Sequence, residues 1–342
     1  MKQIFVISLF IIVVFTKCGT SNKNSVQDQA DNLSQSNLSE QGNPETEQEG
    51  NLFENADFIK KYNGYIAFKN SFHKGVVRSY RSYFKWADKE KGPQNSKRTH
   101  PRISTLSDYS LKDAEEKIAA TPEIANVDNL MQIVLKNARE LFSLVETANG
   151  YYKKENYKDD DFAEGKKLHP QLVTAFEKYF DAYDKMNVPF KKLQDELFIY
   201  DVEKYKTDGK DISYNLMVNM KSVEKSLGLI GNLDGSDLKK IDLEAFDKEV
   251  KEFRKTHEAL EKLSKNKEQV DSEFKSMNKN YLDTYINVGM SLIKEIRNFK
   301  ERIQKNNFKY GITHPSIPDE GSPAKLRKLY SELIRAYNSL NR

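Results

Sequence analysis

The chain has a single cysteine, Cys18, in 342 residues. A lone cysteine excludes an internal disulfide. Glycine (15) and proline (9) are sparse. So few breakers, with many Lys, Glu and Leu, favour long helices over a sandwich or barrel. Missing too are a P-loop, a Gly-rich dinucleotide turn, a nucleophile elbow and a Ser-His-Asp context. Paired carboxylates recur along the chain, so none stands out as a glycosidase pair. No catalytic residue, metal or cofactor is expected on these grounds, and an enzyme is the less favoured class. No hydrophobic run reaches the roughly 20 residues a spanning helix needs.

The longest apolar run is residues 4–15, preceded by Lys2 and followed by Cys18. It has the length of a signal-peptide core, and the alternative is an uncleaved N-terminal anchor. Directly after such a run, Cys18 suits thioether attachment of a diacylglycerol, with cleavage before it. Lys17 replaces the small residue usual before a lipidated cysteine. Residues 18–50 contain no aromatic side chain and are rich in Ser, Asn, Gln and Glu. Such a segment cannot offset its chain entropy by burial and is read as a disordered tether. Its 32 residues after Cys18 would span about 30 Å on average. The expected organisation is a signal peptide (1–17), a lipidated cysteine with its tether (18–50) and a helical domain (51–342). The expected location is the bacterial cell envelope, at the periplasmic face or the cell surface.

Net charge is +4, from 55 basic and 51 acidic residues. Residues 1–17 carry +2 and residues 19–50 carry −5, which leaves +7 for residues 51–342. Basic and acidic residues are interspersed, no dense basic stripe is evident, and nucleic acid is not an expected partner.

What is abundant is aromatic: 19 Phe and 18 Tyr, enough to build a core. Phe58, Tyr62, Tyr65, Ile66, Phe72, Val76, Tyr80, Tyr83 and Phe84 recur at helical spacing with one gap, over residues 53–87. Gly64 and Gly75 argue against an unbroken helix there. Residues 88–102 read as a polar loop outside the core. A short helix is predicted over 111–120 and a longer one over 127–148, stopped at Asn149-Gly150. Later faces are Ile212 to Ile230, Leu243 to Leu260, Tyr281 to Ile303 and Leu326 to Tyr337, with Ser236 or Asp237 as a cap in between. The near-heptad spacing predicts an all-α, elongated multi-helix bundle.

Residues 151–180, YYKKENYKDDDFAEGKKLHPQLVTAFEKYF, are the densest stretch. Asp161 and Glu164 have capping-box spacing. Leu172, Ala175, Phe176, Tyr179, Phe180 and Tyr183 mark one helix face. Pro170 is either the first helical residue or a kink in a helix begun near Asp161; Pro189 is expected to kink or divide the same helix. His169 with Asp159, Asp160 and Asp161 is the best chemical candidate, since carboxylates and an imidazole can bind a divalent metal. Their spacing matches no known metal loop, and capping explains the same residues. His257 reads as a satisfied core histidine.

The string Tyr151, Tyr152, Tyr157, Lys158, Asp159, Asp160, Gly165, Lys166, Leu168, His169, Leu172, Ala175 and Phe176 resembles the signature segment of the YiiG-like bacterial lipoproteins. Tyr62-Asn63, Tyr65-Ile66, Tyr83-Phe84-Lys85-Trp86, Lys91-Gly92-Pro93 and Tyr337-Asn338 are similar as well. The resemblance implies an envelope lipoprotein with an all-helical domain, and it carries over no activity. The favoured expectation is a non-catalytic binding or structural module attached to the membrane by lipid, meeting an envelope protein or a small ligand. In the alternative, Tyr151, Tyr152, Tyr157, Asp159, Asp160, Lys166 and His169 line a ligand site.

Overall fold

The computed structural model describes residues 52–94, 100–231, 233, 235–274, 279–309 and 318–340. The apolar run, Cys18 and the segment 19–50 lie outside the described residues. The fold is all-α: the described residues form ten α-helices and no strand, with one isolated bridge between Asp88 and Gly92.

The first helical rod is α1 (Ala56–Phe68), a π-turn (Lys69–His73) and α2 (Lys74–Phe84). The Asn55 side chain starts it by accepting from the backbone N–H groups of Asp57 and Phe58. The gap in the aromatic stripe is filled by Phe68 and Lys69, both buried. Neither glycine breaks the rod. Gly64 sits against the Lys117 stem and Gly75 against Leu106, so both serve close packing.

Three helices complete this half: α3 (Asp108–Ile118), α4 (Asp128–Lys153) and α5 (Ala163–Thr207). Asn149-Gly150 does not stop α4. The helix runs one turn further because Tyr151 and Tyr152 are buried there, and that burial outweighs the weak helix preference of Asn and Gly. With 45 residues, α5 is about 68 Å long at 1.5 Å per residue. Pro170 and Pro189 both lie inside it, so neither begins nor divides it. Its aromatic face meets the rod: Phe190 packs on Tyr62, Tyr179 on Phe72, and Phe176 and Phe180 on Tyr80.

A second core is built by α6 (Asp211–Ile230), α7 (Leu243–Leu263), α8 (Lys267–Glu273), α9 (Lys279–Gln304) and α10 (Pro323–Leu340). Ser236 and Asp237 lie in a 3-10 turn, and α7 is capped instead by Asp242, which accepts from Ala245 N. Tyr281 is not a core residue: it is 43% exposed, and Leu282 and Tyr285 are buried instead. The Glu273 carboxylate of α8 accepts from the backbone N–H groups of Ile212 and Ser213, fastening the start of α6. Inside, Asn219 donates to Phe253 O and accepts from the Tyr285 hydroxyl. His257 is buried with Nε2 on Ile286 O and Nδ1 near Glu261, a satisfied core histidine. The two cores meet where α6 follows α5, and Lys221 pairs there with Asp195 at 3.0 Å.

Candidate functional site

Residues 151–180 fold into a clasp between the end of α4 and the start of α5. Tyr151 and Tyr152 occupy the last turn of α4 and are buried. Tyr157 follows in a 3-10 turn (Asn156–Lys158), half-buried and stacked on Phe162 at 4.9 Å. Asp161 and Phe162 then take positive φ, 48° and 64°, a conformation L residues rarely hold. Phe162 is held in it by burial against Tyr157 and Trp86. Phe162 holds the N-cap position of α5, and the carboxylate there comes from Asp160 rather than Asp161: its Oδ2 accepts from Glu164 N at 3.0 Å. The φ of Asp161 places it outside capping geometry.

Asp160 has a second bond, accepting from the Tyr151 hydroxyl at 2.6 Å. That bond, more than any other cause, holds the Asp160 carboxyl below its ordinary range. Burial pushes the Tyr151 phenol up, and Asp160 pushes it further. Gly165 allows this closeness, because a Cβ there would lie 2.9 Å from the Tyr152 hydroxyl and 3.2 Å from the Tyr151 ring.

Nearly two turns into α5, His169 is buried with both nitrogens occupied. Nε2 is 3.0 Å from Lys89 O and Nδ1 is 2.9 Å from the Tyr83 hydroxyl. A carbonyl only accepts, so Nε2 carries the proton, and Nδ1 accepts from Tyr83. Burial raises the Tyr83 phenol to about 12. The buried Tyr152 hydroxyl makes no hydrogen bond of ordinary geometry. It still lies close enough to Tyr83 for the two phenols to shift one another. The loop after α2 is drawn inward: Gly92 (φ +76°) approaches the His169 ring and Pro93 approaches Gly165, and both are buried. A wholly polar reading of residues 88–102 missed this, because the inward pull comes from His169, some eighty residues away.

The clasp therefore gathers Tyr151, Tyr152, Tyr157, Asp160 and His169 around Tyr83 and Trp86. It leaves Asp159 and Lys166 exposed, the latter donating to Asp161 O at 3.1 Å. Among the described residues no three His, Cys, Asp or Glu side chains are placed to hold a metal.

Both halves of the clasp are strings that carried the resemblance, 83–93 on one side and 151–176 on the other. Residues 56–339 match the family described as "Protein of unknown function (DUF3829)". The chain belongs to this family. It is 26% identical over 307 residues to the "Uncharacterized protein YiiG" of Escherichia coli (strain K12), covering 87% of this chain and 83% of that protein. No solved structure matches. The DUF3829 match spans both helical cores and the clasp.

Sequence reasoning did not find a second buried polar centre in this DUF3829 chain. Lys61, 1% exposed, forms an ion pair with Asp128 and donates to Ala120 O (2.8 Å) and Pro122 O (3.1 Å). Asp128 also accepts from the Tyr65 hydroxyl (2.8 Å) and Ile124 N (3.1 Å). Every donor of the ammonium is used, so the centre ties α1 to the α3–α4 connection and offers no vacant valence. The partners are 67 residues apart, and no local pattern signals them.

Proposed function

We propose that this DUF3829 protein is an envelope lipoprotein, anchored through Cys18, whose helical part is a non-catalytic binding or structural module. The observation that carries the reading is the order of Lys2, the apolar run 4–15 and Cys18. A short apolar run followed by a cysteine gives stable attachment when the thiol bears diacylglycerol. The non-catalytic part is supported by how the polar groups of the clasp are used. Both nitrogens of His169 and the Tyr83 hydroxyl act as ties between elements, and Asp160 ties Tyr151 to the start of α5. A general base or a metal ligand needs a free lone pair facing a substrate.

The test is metabolic labelling with an alkyne fatty acid in bacteria producing the full chain, beside Cys18→Ala. The reading expects label on the parent, none on the variant, and the parent in the membrane fraction after a high-salt wash. An unlabelled parent found in the soluble fraction would overturn it.

A further inference from the structure

From Phe58 to Ala87 the chain has seven Lys or Arg and no Asp or Glu. That single rod holds a charge equal to the whole +7 of residues 51–342, and the rest of the helical part is balanced. Two of the seven are used inside, Lys61 on Asp128 and Lys69 on Asn187. Lys74, Arg78, Arg81 and Lys85 are all exposed. Their steps of four, three and four put them in one row on the solvent face of α2, about 16 Å long.

The row differs from the other charged faces of the molecule. On other helices lysines alternate with acids along the sequence, and several pair one turn away, as in Lys112–Asp108, Lys185–Asp181 and Lys305–Glu301. None of the four has an ion pair or a side-chain hydrogen bond among the described residues. Like charges one turn apart repel, so the row by itself disfavours the helix it sits on. Tyr109 is 80% exposed near the N-terminus of α3, and the next residue, Ser110, contacts Ser71 of the π-turn that precedes the row. Charge is interspersed over the rest of the helical part and segregated on this face.

We propose that this face of α2 lies on the anionic phospholipid headgroups of the membrane to which the chain is anchored. The inference rests on the anchoring reading above. A straight row of cations on a rigid helix matches a plane of phosphates, and an exposed tyrosine suits the headgroup layer. The row lies near the start of the described residues, with Lys74 about 27 Å along the rod from Ala56. Segment 19–50, with its charge of −5, is the competing occupant.

The test uses the full chain in nanodiscs of phosphatidylcholine, with and without phosphatidylglycerol. A water-soluble acylating reagent reports Lys74 and Lys85, with exposed Lys251 of α7 as the internal reference. The proposal expects several-fold slower labelling of Lys74 and Lys85 on the anionic discs alone, reversed by high salt. The paired substitution Arg78→Gln and Arg81→Gln should abolish the difference. Equal, fast labelling on both discs overturns the proposal. Slow labelling on both, relieved by neutralising the acids of segment 19–50, overturns it in favour of the tether. A chain that elutes free of both discs overturns the anchoring reading, and this one with it.

Discussion

The Tyr83 hydroxyl donates to His169 Nδ1 across 2.9 Å and so joins α2 to α5 over 86 positions of sequence. With Nε2 on Lys89 O, one imidazole secures two elements. His169→Ala should leave a buried phenol and a carbonyl without partners, at about 1–3 kcal/mol each, in addition to a cavity. Tyr83→Phe removes only one bond and should cost about 1 kcal/mol. Urea unfolding measures both, and amide exchange at residues 89–92 should quicken in His169→Ala well before global unfolding.

Two glycines let the clasp close. At Gly92 the φ is +76° and an added Cβ would lie 3.2 Å from His169 Cδ2. Gly92→Ala adds backbone strain to a tight contact and should cost about 1–3 kcal/mol. Gly165→Ala lies in helical backbone, so only the contact with Tyr152 and Tyr151 opposes it. Tyr152→Phe, which removes the nearest atom, should recover part of the Gly165→Ala loss in a double-mutant cycle.

The Lys61–Asp128 pair is fully enclosed. Asp128→Ala would leave an unpaired buried ammonium and should cost about 3–5 kcal/mol. Lys61→Met with Asp128→Leu removes both charges and should be milder than Asp128→Ala alone. Denaturant midpoints of the three variants decide it; a double variant worse than the single would show that the polar contacts themselves, and not the stranded charge, dominate.

Asp201, 5% exposed on α5, has a carboxyl that burial pushes up to about 7, with Lys204 opposing. A raised carboxyl pKa means the folded state binds the proton more tightly than the unfolded state. The stability contributed by this group should therefore be fully present below the unfolded value near 3.8 and be lost as pH rises toward 7. Asp201→Asn keeps the shape of the neutral acid and removes this dependence. It should stabilise the protein at pH 8 by roughly 2–4 kcal/mol and by less at pH 5. Urea midpoints of parent and variant at the two pH values read the difference directly.

Long helices were legible wherever one apolar face repeats, as in the Ile212, Leu216, Met220, Val223 series now buried on α6. The short α3 was legible too, but α8 was not: Val270 is its one buried apolar residue, too little for a period to show. Local stop signals misled where burial outweighed them, since Asn149-Gly150 sits mid-helix with two buried tyrosines behind it. In the clasp the residue types were visible and their partners were not. Tyr83, Lys89 and Gly92 reach His169 only after α2 and α5 pack together. The absence of acids from 58 to 87 was open to view in the sequence, and the helix adds that four of the cations there share one solvent face.

Under the proposed function, the polar residues of 151–180 tie the bundle together and hold no ligand. Native mass spectrometry of the full chain, purified in mild detergent without a metal-affinity tag, tests it beside His169→Ala. The account predicts a parent mass equal to the processed chain with its lipid and nothing more, an identical complement on the variant, and a lower unfolding midpoint for the variant. A bound metal or small molecule on the parent that disappears in His169→Ala, with the unfolding midpoint unchanged, would contradict it.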